Sequence, residues 1–298
     1  MKLDIVICLH KNNLESFHLV IKQLYKYLKD IKINVIANKD LEEKLIKECP
    51  KINFIDEDKI VPNLTLKKIQ EIIKKKVGNS NRAGWYFQQF LKMGYSLLEN
   101  CDEYYLIWDS DLILLKEEKF FENKKMILYK KTEYHKPYFD TLKKILNLDK
   151  SFDFSFICEH MIIKKEIMNE IITNIEKMGG EQYFEVILDS IEKSEIERSG
   201  FSEFETYGTY ALKNYYELFV IKEVCSWRDA GKILKGVSIT EKLLEKLGEY
   251  YDNFSLETWS KPYKYNHLIE NKFLVKCLGI KKISYLIKKI NKIIGEEI

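Results

Sequence analysis

The segment Tyr104-Tyr-Leu-Ile-Trp-Asp-Ser-Asp-Leu-Ile-Leu-Leu115 carries two carboxylates at the end of an apolar, aromatic run. The run up to Trp108 predicts a buried strand, because it is short, apolar and aromatic. Asp109 and Asp111 follow where that strand leaves the core. Like charges this close repel one another, and burying them unpaired is costly. A divalent cation removes both penalties, since Mg²⁺ and Mn²⁺ prefer oxygen ligands. The segment therefore predicts a Mn²⁺ or Mg²⁺ site, completed by the phosphates of a bound diphosphate. The alternative is that both residues serve a turn or a helix cap.

Strands and helices are predicted to alternate on the N-terminal side of this segment, with short connections. The predicted strands are residues 3–9, 33–37 and 52–55, and the predicted helices are residues 14–28 and 38–49. This alternation indicates an α/β fold with a mostly parallel sheet flanked by helices. In such sheets ligands bind beyond the carboxyl ends of the strands, at the topological switch point. Residues 10–13, 38–40 and 109–111 all follow predicted strands and are therefore expected there.

Composition narrows the class of protein. The chain has 298 residues, of which 46% are hydrophobic and 32% charged, so it is globular rather than disordered. The net charge of +3 is too small to indicate a nucleic-acid partner. The six cysteines form no Cys-x-x-Cys pair and lie mostly in apolar surroundings, which predicts reduced, buried thiols in a cytosolic protein. No apolar run is long enough to span a bilayer.

An aromatic helix is predicted over residues 82–93, directly before the Asp-x-Asp strand. Arg82 lies near its N-terminus, where the helix dipole disfavours a cation unless an anion offsets it. Arg82 together with the helix-start N–H groups is therefore a candidate phosphate site. A solvated surface Arg is the equal alternative. Gln88 lies on the same helix and is a further candidate for the donor site.

Two pairs of polar residues further along the chain are candidates for the substrate site. Residues 152–157 alternate in polarity and predict a strand leading to Glu159 and His160. These two are candidate acceptor contacts, although a hydrogen-bonded core histidine is the favoured interpretation of His160. Ser202 and Glu205 match a capping box, which gives Glu205 a structural task. Glu203 has no such task and is the candidate catalytic base; the alternative is that both glutamates only start a helix.

The C-terminal part is predicted to be a helical extension, residues 231–298, after a first domain of residues 1–230. An aromatic loop over residues 259–267 ends at His267, a candidate metal ligand if the loop folds over the site. An amphipathic helix begins at Lys281, and its apolar stripe runs from Ile283 to Ile294 with lysines around it. Such a helix predicts peripheral contact with an anionic membrane surface, or packing on its own domain or on a partner chain.

Four of these segments, in this order, resemble GT-A glycosyltransferases, and within them a poorly characterised bacterial family found with surface polysaccharide gene clusters. They are residues 82–93, residues 105–114, residues 159–161 and residues 202–208. The resemblance runs from the N-terminal strand to about Asp229 and leaves the last 70 or so residues unmatched. Those residues are where acceptor selection or anchoring is then expected.

The resemblance implies a metal-dependent transfer of a sugar from a nucleotide-sugar donor, here a UDP-sugar, to a glycan or lipid-linked glycan acceptor. By this analogy His10 and Asn12 approach the nucleoside, and Asp111 binds Mn²⁺ or Mg²⁺ directly. Asp109 contacts either the metal or the ribose. The expected setting is capsule or lipopolysaccharide synthesis on the cytoplasmic side of the membrane. If the reaction inverts the anomeric centre, Glu203 deprotonates the acceptor hydroxyl; if it retains configuration, Glu203 only positions substrate.

Two other classes compete with this interpretation. A phosphatase of the haloacid dehalogenase type also carries Asp-x-Asp, but on a strand near the chain start, and here the pair follows about a hundred residues. A non-catalytic sugar-nucleotide-binding homologue would keep the fold but has no reason to keep both aspartates.

Overall fold

The computed structural model describes residues 2–257 and 261–293. The start of the predicted aromatic loop, including Trp259, and the last residue of the predicted apolar stripe, Ile294, lie outside the described residues.

Strands and helices alternate along the described chain. The strands are β1 Leu3–Leu9, β2 Ile31–Ala37, β3 Asn53–Asp56, β4 Tyr104–Trp108, β5 Leu112–Leu114, β6 Phe121–Glu122, β7 Lys125–Lys130, β8 His160–Lys164, β9 Phe219–Glu223, β10 Ser226–Trp227 and β11 Asn253–Ser255. The helices are α1 Leu14–Tyr27, α2 Glu42–Glu48, α3 Leu66–Val77, α4 Ala83–Gly94, α5 Lys136–Leu146, α6 Lys165–Gly179, α7 Tyr183–Ser190, α8 Lys193–Ile196, α9 Glu203–Tyr215, α10 Gly231–Leu234, α11 Glu241–Gly248, α12 Lys272–Leu278 and α13 Ile280–Ile293.

The central sheet has five strands in the order β3-β2-β1-β4-β8. The first four are parallel and β8 is antiparallel to β4. Strand β1 is buried because its apolar residues alternate between two covered faces, as parallel sheets require. From β1 the chain continues to β2 and β3 on one side of the sheet, and it then returns to pair β4 with the other side of β1. The strand order reverses there, so the β1–β4 edge is the topological switch point. The predicted α/β class with a mostly parallel, helix-flanked sheet is confirmed.

The chain forms two compact units. The first comprises residues 1–10, 30–109 and 119–224, and the second comprises residues 11–29, 110–118 and 225–298. The first unit holds the central sheet and a small sheet β6-β7-β9, while the second holds the sheet β10-β11-β5. The boundary predicted at residue 230 stays a prediction. No helix in residues 2–257 and 261–293 is long and apolar enough to cross a membrane.

The strand predicted over residues 152–157 is wrong. Only Ser155 makes a β-bridge there, to Lys131. The alternating phenylalanines instead pack on one another: the ring of Phe154 lies 5.3 Å from those of Phe152 and Phe156. Three phenylalanines that pack on one another give the same alternation of apolar and polar residues as a strand, so periodicity alone does not distinguish the two.

Helix α13 confirms the predicted C-terminal helix, and part of its apolar stripe packs inward. Ile283 and Ile287 are buried, whereas Leu286 and Ile293 are exposed. The cysteine prediction holds in part, because Cys8, Cys49, Cys101 and Cys158 are buried free thiols but Cys225 and Cys277 are exposed ones.

Candidate functional site

Strand β4 delivers Asp109 to the edge of the central sheet. The strand is buried from Tyr105 to Trp108, and the chain becomes accessible at Asp109, whose side chain is 26% exposed. The Asp109 N–H donates to the Glu159 carbonyl at 2.9 Å, which continues the pairing of β4 with β8 by one residue. Glu159 adopts a left-handed conformation, φ 60°, which is uncommon for a residue other than glycine. Such conformations cluster at functional sites, where surrounding structure holds them in place.

A buried lysine on α4 holds the Asp109 carboxylate. Lys92 Nζ lies 2.6 Å from Asp109 Oδ1 and 2.8 Å from Glu203 Oε1. The side chains of Lys92 and Glu203 are 3% and 4% exposed. The ammonium also lies 4.9 Å from the centre of the Phe204 ring. Two carboxylates share one ammonium, so the cluster of Lys92, Asp109 and Glu203 carries one net negative charge.

Burial and charge act in opposite directions on the pKa values in this cluster. Burial alone lowers the pKa of the Lys92 ammonium, but the charges of Asp109 and Glu203 outweigh it and raise that pKa. Burial raises the pKa of Glu203, and the nearby Lys92 opposes that rise. Lys92 therefore stays charged at physiological pH. Burial also raises the pKa of the Cys8 thiol, near the end of β1, to about 12, which disfavours its thiolate form.

The start of α9 separates the two predicted glutamates. Ser202 caps the helix, with its hydroxyl accepting the Glu205 N–H at 3.3 Å. The Glu205 carboxylate does not reach back as a capping box requires; it accepts from the Ser155 hydroxyl at 2.5 Å and the Phe156 N–H at 3.3 Å. Glu203 turns the other way, to Lys92. The capping box is half confirmed, because Ser202 caps the helix but the Glu205 carboxylate does not reach back, and the base role of Glu203 stays a prediction.

Asp111 belongs to the second unit, two residues beyond Asp109. Its carbonyl accepts the Leu256 N–H at 2.9 Å, which extends the antiparallel pairing of β5 with β11. The intervening Ser110 accepts from the Asn13 amide at 2.8 Å. Among residues 2–257 and 261–293, no three His, Cys, Asp or Glu side chains meet in a way that could hold a metal ion. A cation held by the two aspartates would take its other ligands from water and a bound phosphate.

The second unit contains a cavity of about 570 Å³, within the size range of small-molecule sites. Its lining combines the start of α1 with the segments around α10 and β11: Asn12, Glu15, Ser16, Leu19, Gly231, Leu234, Lys235, Gly236, Val237, Ser238, Ile239, Leu256, Glu257 and Glu270. Asn12 is one of the residues predicted to approach a nucleoside. Leu256 joins the cavity wall to the Asp111 backbone.

The other predicted residues have the following surroundings. Arg82 precedes α4, donates to the Ser199 hydroxyl at 2.9 Å and stacks 4.5 Å from the Trp85 ring. The Cys8 thiol donates to the Gln88 backbone carbonyl at 3.6 Å. These contacts account for Arg82 without a phosphate, and both donor-site roles stay predictions.

The two predicted histidines differ in burial. His160 is 1% exposed and lies against the rings of Trp108, Tyr129 and Phe120, with its Nδ1 2.8 Å from the Cys158 carbonyl. These contacts favour the interpretation as a core histidine. His267 is exposed, in a short 3₁₀ turn of the second unit, and its metal role stays a prediction. His10, also exposed, ends the first segment of the first unit.

Lys92 is the residue that sequence reasoning missed. A signal was present, because Lys92 lies on the helix face of Gln89, three residues earlier, within an otherwise aromatic segment. A lysine among core positions needs a buried counter-ion. Gln89 also contributes, since its side-chain oxygen accepts the Glu203 N–H at 3.2 Å.

Comparison with known proteins gives similarities at low identity. Mouse xyloside xylosyltransferase 1, apo form, is 10% identical, with TM-score 0.48, over 86% of this chain and 97% of that chain. The apo glycosyltransferase GlyE of Streptococcus pneumoniae is 11% identical, with TM-score 0.42, over 89% of this chain and 56% of that chain. The galactosyltransferase LgtC with donor and acceptor sugar analogs is 9% identical, with TM-score 0.41, over 89% and 91%. No curated protein matches the sequence. One family model, described as a family of unknown function (DUF6492), matches residues 1–232, which is most of the chain.

Proposed function

The chain belongs to the DUF6492 family, and we propose that it is a glycosyltransferase of the GT-A type that uses a divalent metal and a nucleotide-sugar donor. One observation carries the proposal. Asp109, the first acid of Asp-x-Asp, is held at the carboxyl end of β4 by a buried lysine, beside the switch point of a mostly parallel sheet. A carboxylate fixed at that edge, with part of its surface open to solvent, suits a ligand better than a turn or a helix cap.

The two aspartates of the Asp-x-Asp segment are suitable ligands for a hard divalent cation. Asp109 and Asp111 offer carboxylate oxygens one residue apart, which is the ligand type that Mn²⁺ and Mg²⁺ prefer. Asp111 is proposed as the direct ligand, with Asp109 contacting the metal or the ribose. When bound, the metal supplies Lewis-acid stabilisation of the diphosphate leaving group. His267 remains the proposed additional ligand.

The donor is proposed to be a UDP-sugar. Asn12, predicted to approach the nucleoside, lines the 570 Å³ cavity, and His10 follows β1 two residues earlier in the chain. Polar and apolar lining groups in one cavity suit a nucleoside, which presents an aromatic base and a ribose with two hydroxyls. Arg82 and Gln88 are the proposed contacts to the remainder of the donor.

The acceptor is proposed to be a glycan or lipid-linked glycan in capsule or lipopolysaccharide synthesis. Glu159 and His160 are the proposed acceptor contacts; both are buried, Glu159 with its carboxylate 2.7 Å from Lys131 Nζ and His160 among aromatic rings. The same proposal includes a cytoplasmic location, with the basic surface of α13 contacting the inner face of the membrane. The base role of Glu203 stays a prediction.

The test is a panel of sugar nucleotides incubated with the protein and Mn²⁺, with release of the nucleoside diphosphate measured. Turnover with at least one donor is expected, and Asp111→Ala is expected to abolish it while leaving the circular dichroism unchanged. Asp149→Ala is the matched control and should keep full activity, because Asp149 is exposed and paired with Lys143 at the surface.

The panel also separates the rival classes. A non-catalytic homologue would bind a nucleotide without splitting any donor. A haloacid-dehalogenase-like phosphatase would release phosphate from simple phosphomonoesters. Either result, or donor hydrolysis unaffected by Asp111→Ala, would contradict the proposal.

A further inference from the structure

The cluster at Asp109 contains one carboxylate more than its ammonium needs. An ammonium has three donor hydrogens, so Lys92 can hold both acids at once. Its distances to Asp109 Oδ1 and Glu203 Oε1, 2.6 and 2.8 Å, are those of charge-assisted hydrogen bonds. A single acid would already neutralise the lysine, which raises the question of what the second acid does.

The two acids differ in how firmly they are held. Glu203 is buried at the first turn of α9, with its N–H fixed by Gln89 and its carboxylate against Lys92. Asp109 is anchored through its backbone to Glu159, but its side chain is partly exposed. Of the two, Asp109 is the acid that can turn to a ligand, and Glu203 is the acid that remains.

A buried ammonium that loses its only partner is strongly destabilised. If Lys92 were paired with Asp109 alone, any ligand that drew Asp109 away would have to offset that loss. With Glu203 in place, Lys92 keeps a counter-ion whichever way Asp109 points. The second acid therefore lowers the cost of releasing Asp109.

We propose that Lys92 and Glu203 form a positioning pair beneath Asp109: Lys92 holds the Asp109 carboxylate in the free protein, and Glu203 keeps Lys92 paired when Asp109 turns to a divalent cation. This inference rests on the proposed function for the identity of the ligand. It gives Glu203 a role different from that of the catalytic base, and neither Lys92 nor Glu203 needs to touch substrate.

The test is titration of the full-length protein with Mn²⁺, alone and with UDP present, by calorimetry. Glu203→Gln is expected to weaken Mn²⁺ binding by about tenfold or more, because Lys92 then keeps Asp109 as its only charged partner. The double variant Lys92→Met with Glu203→Gln is expected to recover to within about threefold of wild type, because no ammonium remains to compete.

Glu205→Gln is the matched control. Glu205 is buried in the same helical turn but faces Ser155 instead of Lys92, so its loss should change Mn²⁺ affinity by less than about twofold. Thermal unfolding of each variant identifies any that is not folded at the assay temperature. The double variant removes both buried charges, and if Glu203→Gln alone is unfolded, a folded double variant that binds Mn²⁺ more than about threefold more weakly than wild type overturns the inference.

The outcomes separate this inference from the proposed function. Wild-type affinity in Glu203→Gln, with sugar transfer lost, would overturn the positioning pair, support the base role and leave the proposed function standing. A double variant as weak as Glu203→Gln would also overturn it. Failure of the wild type to bind Mn²⁺, even with UDP, would overturn both.

Discussion

Replacing Lys92 by Met should destabilise the protein strongly at neutral pH and only slightly at pH 5. The substitution removes the ammonium that pairs with both Glu203 and Asp109. Asp109 is partly exposed and regains water, so Glu203, which is buried, carries most of the penalty. Removing one partner of a buried ion pair costs about 3–5 kcal/mol.

Protonation of Glu203 limits that cost. The free energy needed to protonate a glutamate grows with the difference between the pH and its ordinary pKa of 4.5. That difference is about 2.5 units at pH 7, which costs ~3.4 kcal/mol, and about 0.5 unit at pH 5, which costs ~0.7 kcal/mol. We therefore expect Lys92→Met to lose about 3 kcal/mol of unfolding free energy at pH 7 and less than about 1 kcal/mol at pH 5. Adding Glu203→Gln to it should restore most of the loss at pH 7, since a neutral amide needs no counter-ion.

Urea denaturation at both pH values, followed by circular dichroism, measures these differences. The control is Lys136→Met, which removes the exposed ion pair with Asp140 and should cost less than about 0.5 kcal/mol at either pH. A loss for Lys92→Met that is as small as the control, or that is the same at pH 5 and pH 7, would refute the assignment of Lys92 as the counter-ion of a buried Glu203.

Three further predictions test other parts of the molecule. Burial raises the pKa of Glu205 above 4.5 in the folded protein, so the folded state favours the protonated carboxyl. The resulting contribution to the free energy of unfolding is lost as the pH rises through that higher pKa. Urea titrations should therefore show Glu205→Gln gaining stability relative to wild type from pH 4 to pH 8. Gly208→Ala should cost about 1–3 kcal/mol by thermal or urea unfolding, because a methyl group there overlaps the Phe156 ring, whereas Gly84→Ala meets nothing within 4 Å and should be neutral or stabilising. Lys289→Glu, on the exposed side of α13, should weaken co-sedimentation with phosphatidylserine vesicles by roughly fivefold or more; equal recovery of both proteins would rule out membrane contact through this surface.

Local patterns along the chain determined the elements of the fold. The strand before Asp109 was predictable because a short apolar run ends in two acids, and the helix over α4 because its apolar residues recur at helical spacing. The alternation of such elements was enough to predict a parallel sheet and the edge at which ligands bind. The prediction over residues 152–157 failed because three phenylalanines pack on one another, and that contact leaves the same alternating pattern as a strand.

The composition of the site was decided by tertiary structure. Asp109 and Glu203 could be proposed separately, from the end of a strand and the start of a helix, but no local pattern joins these two residues, 94 positions apart, to each other or to Lys92, which precedes both. The position of α9 brings Glu203 to the same ammonium that holds Asp109. Periodicity reports which face of an element is apolar, whereas the partner of a buried charge depends on which elements the fold brings together, and that information is spread over the whole chain.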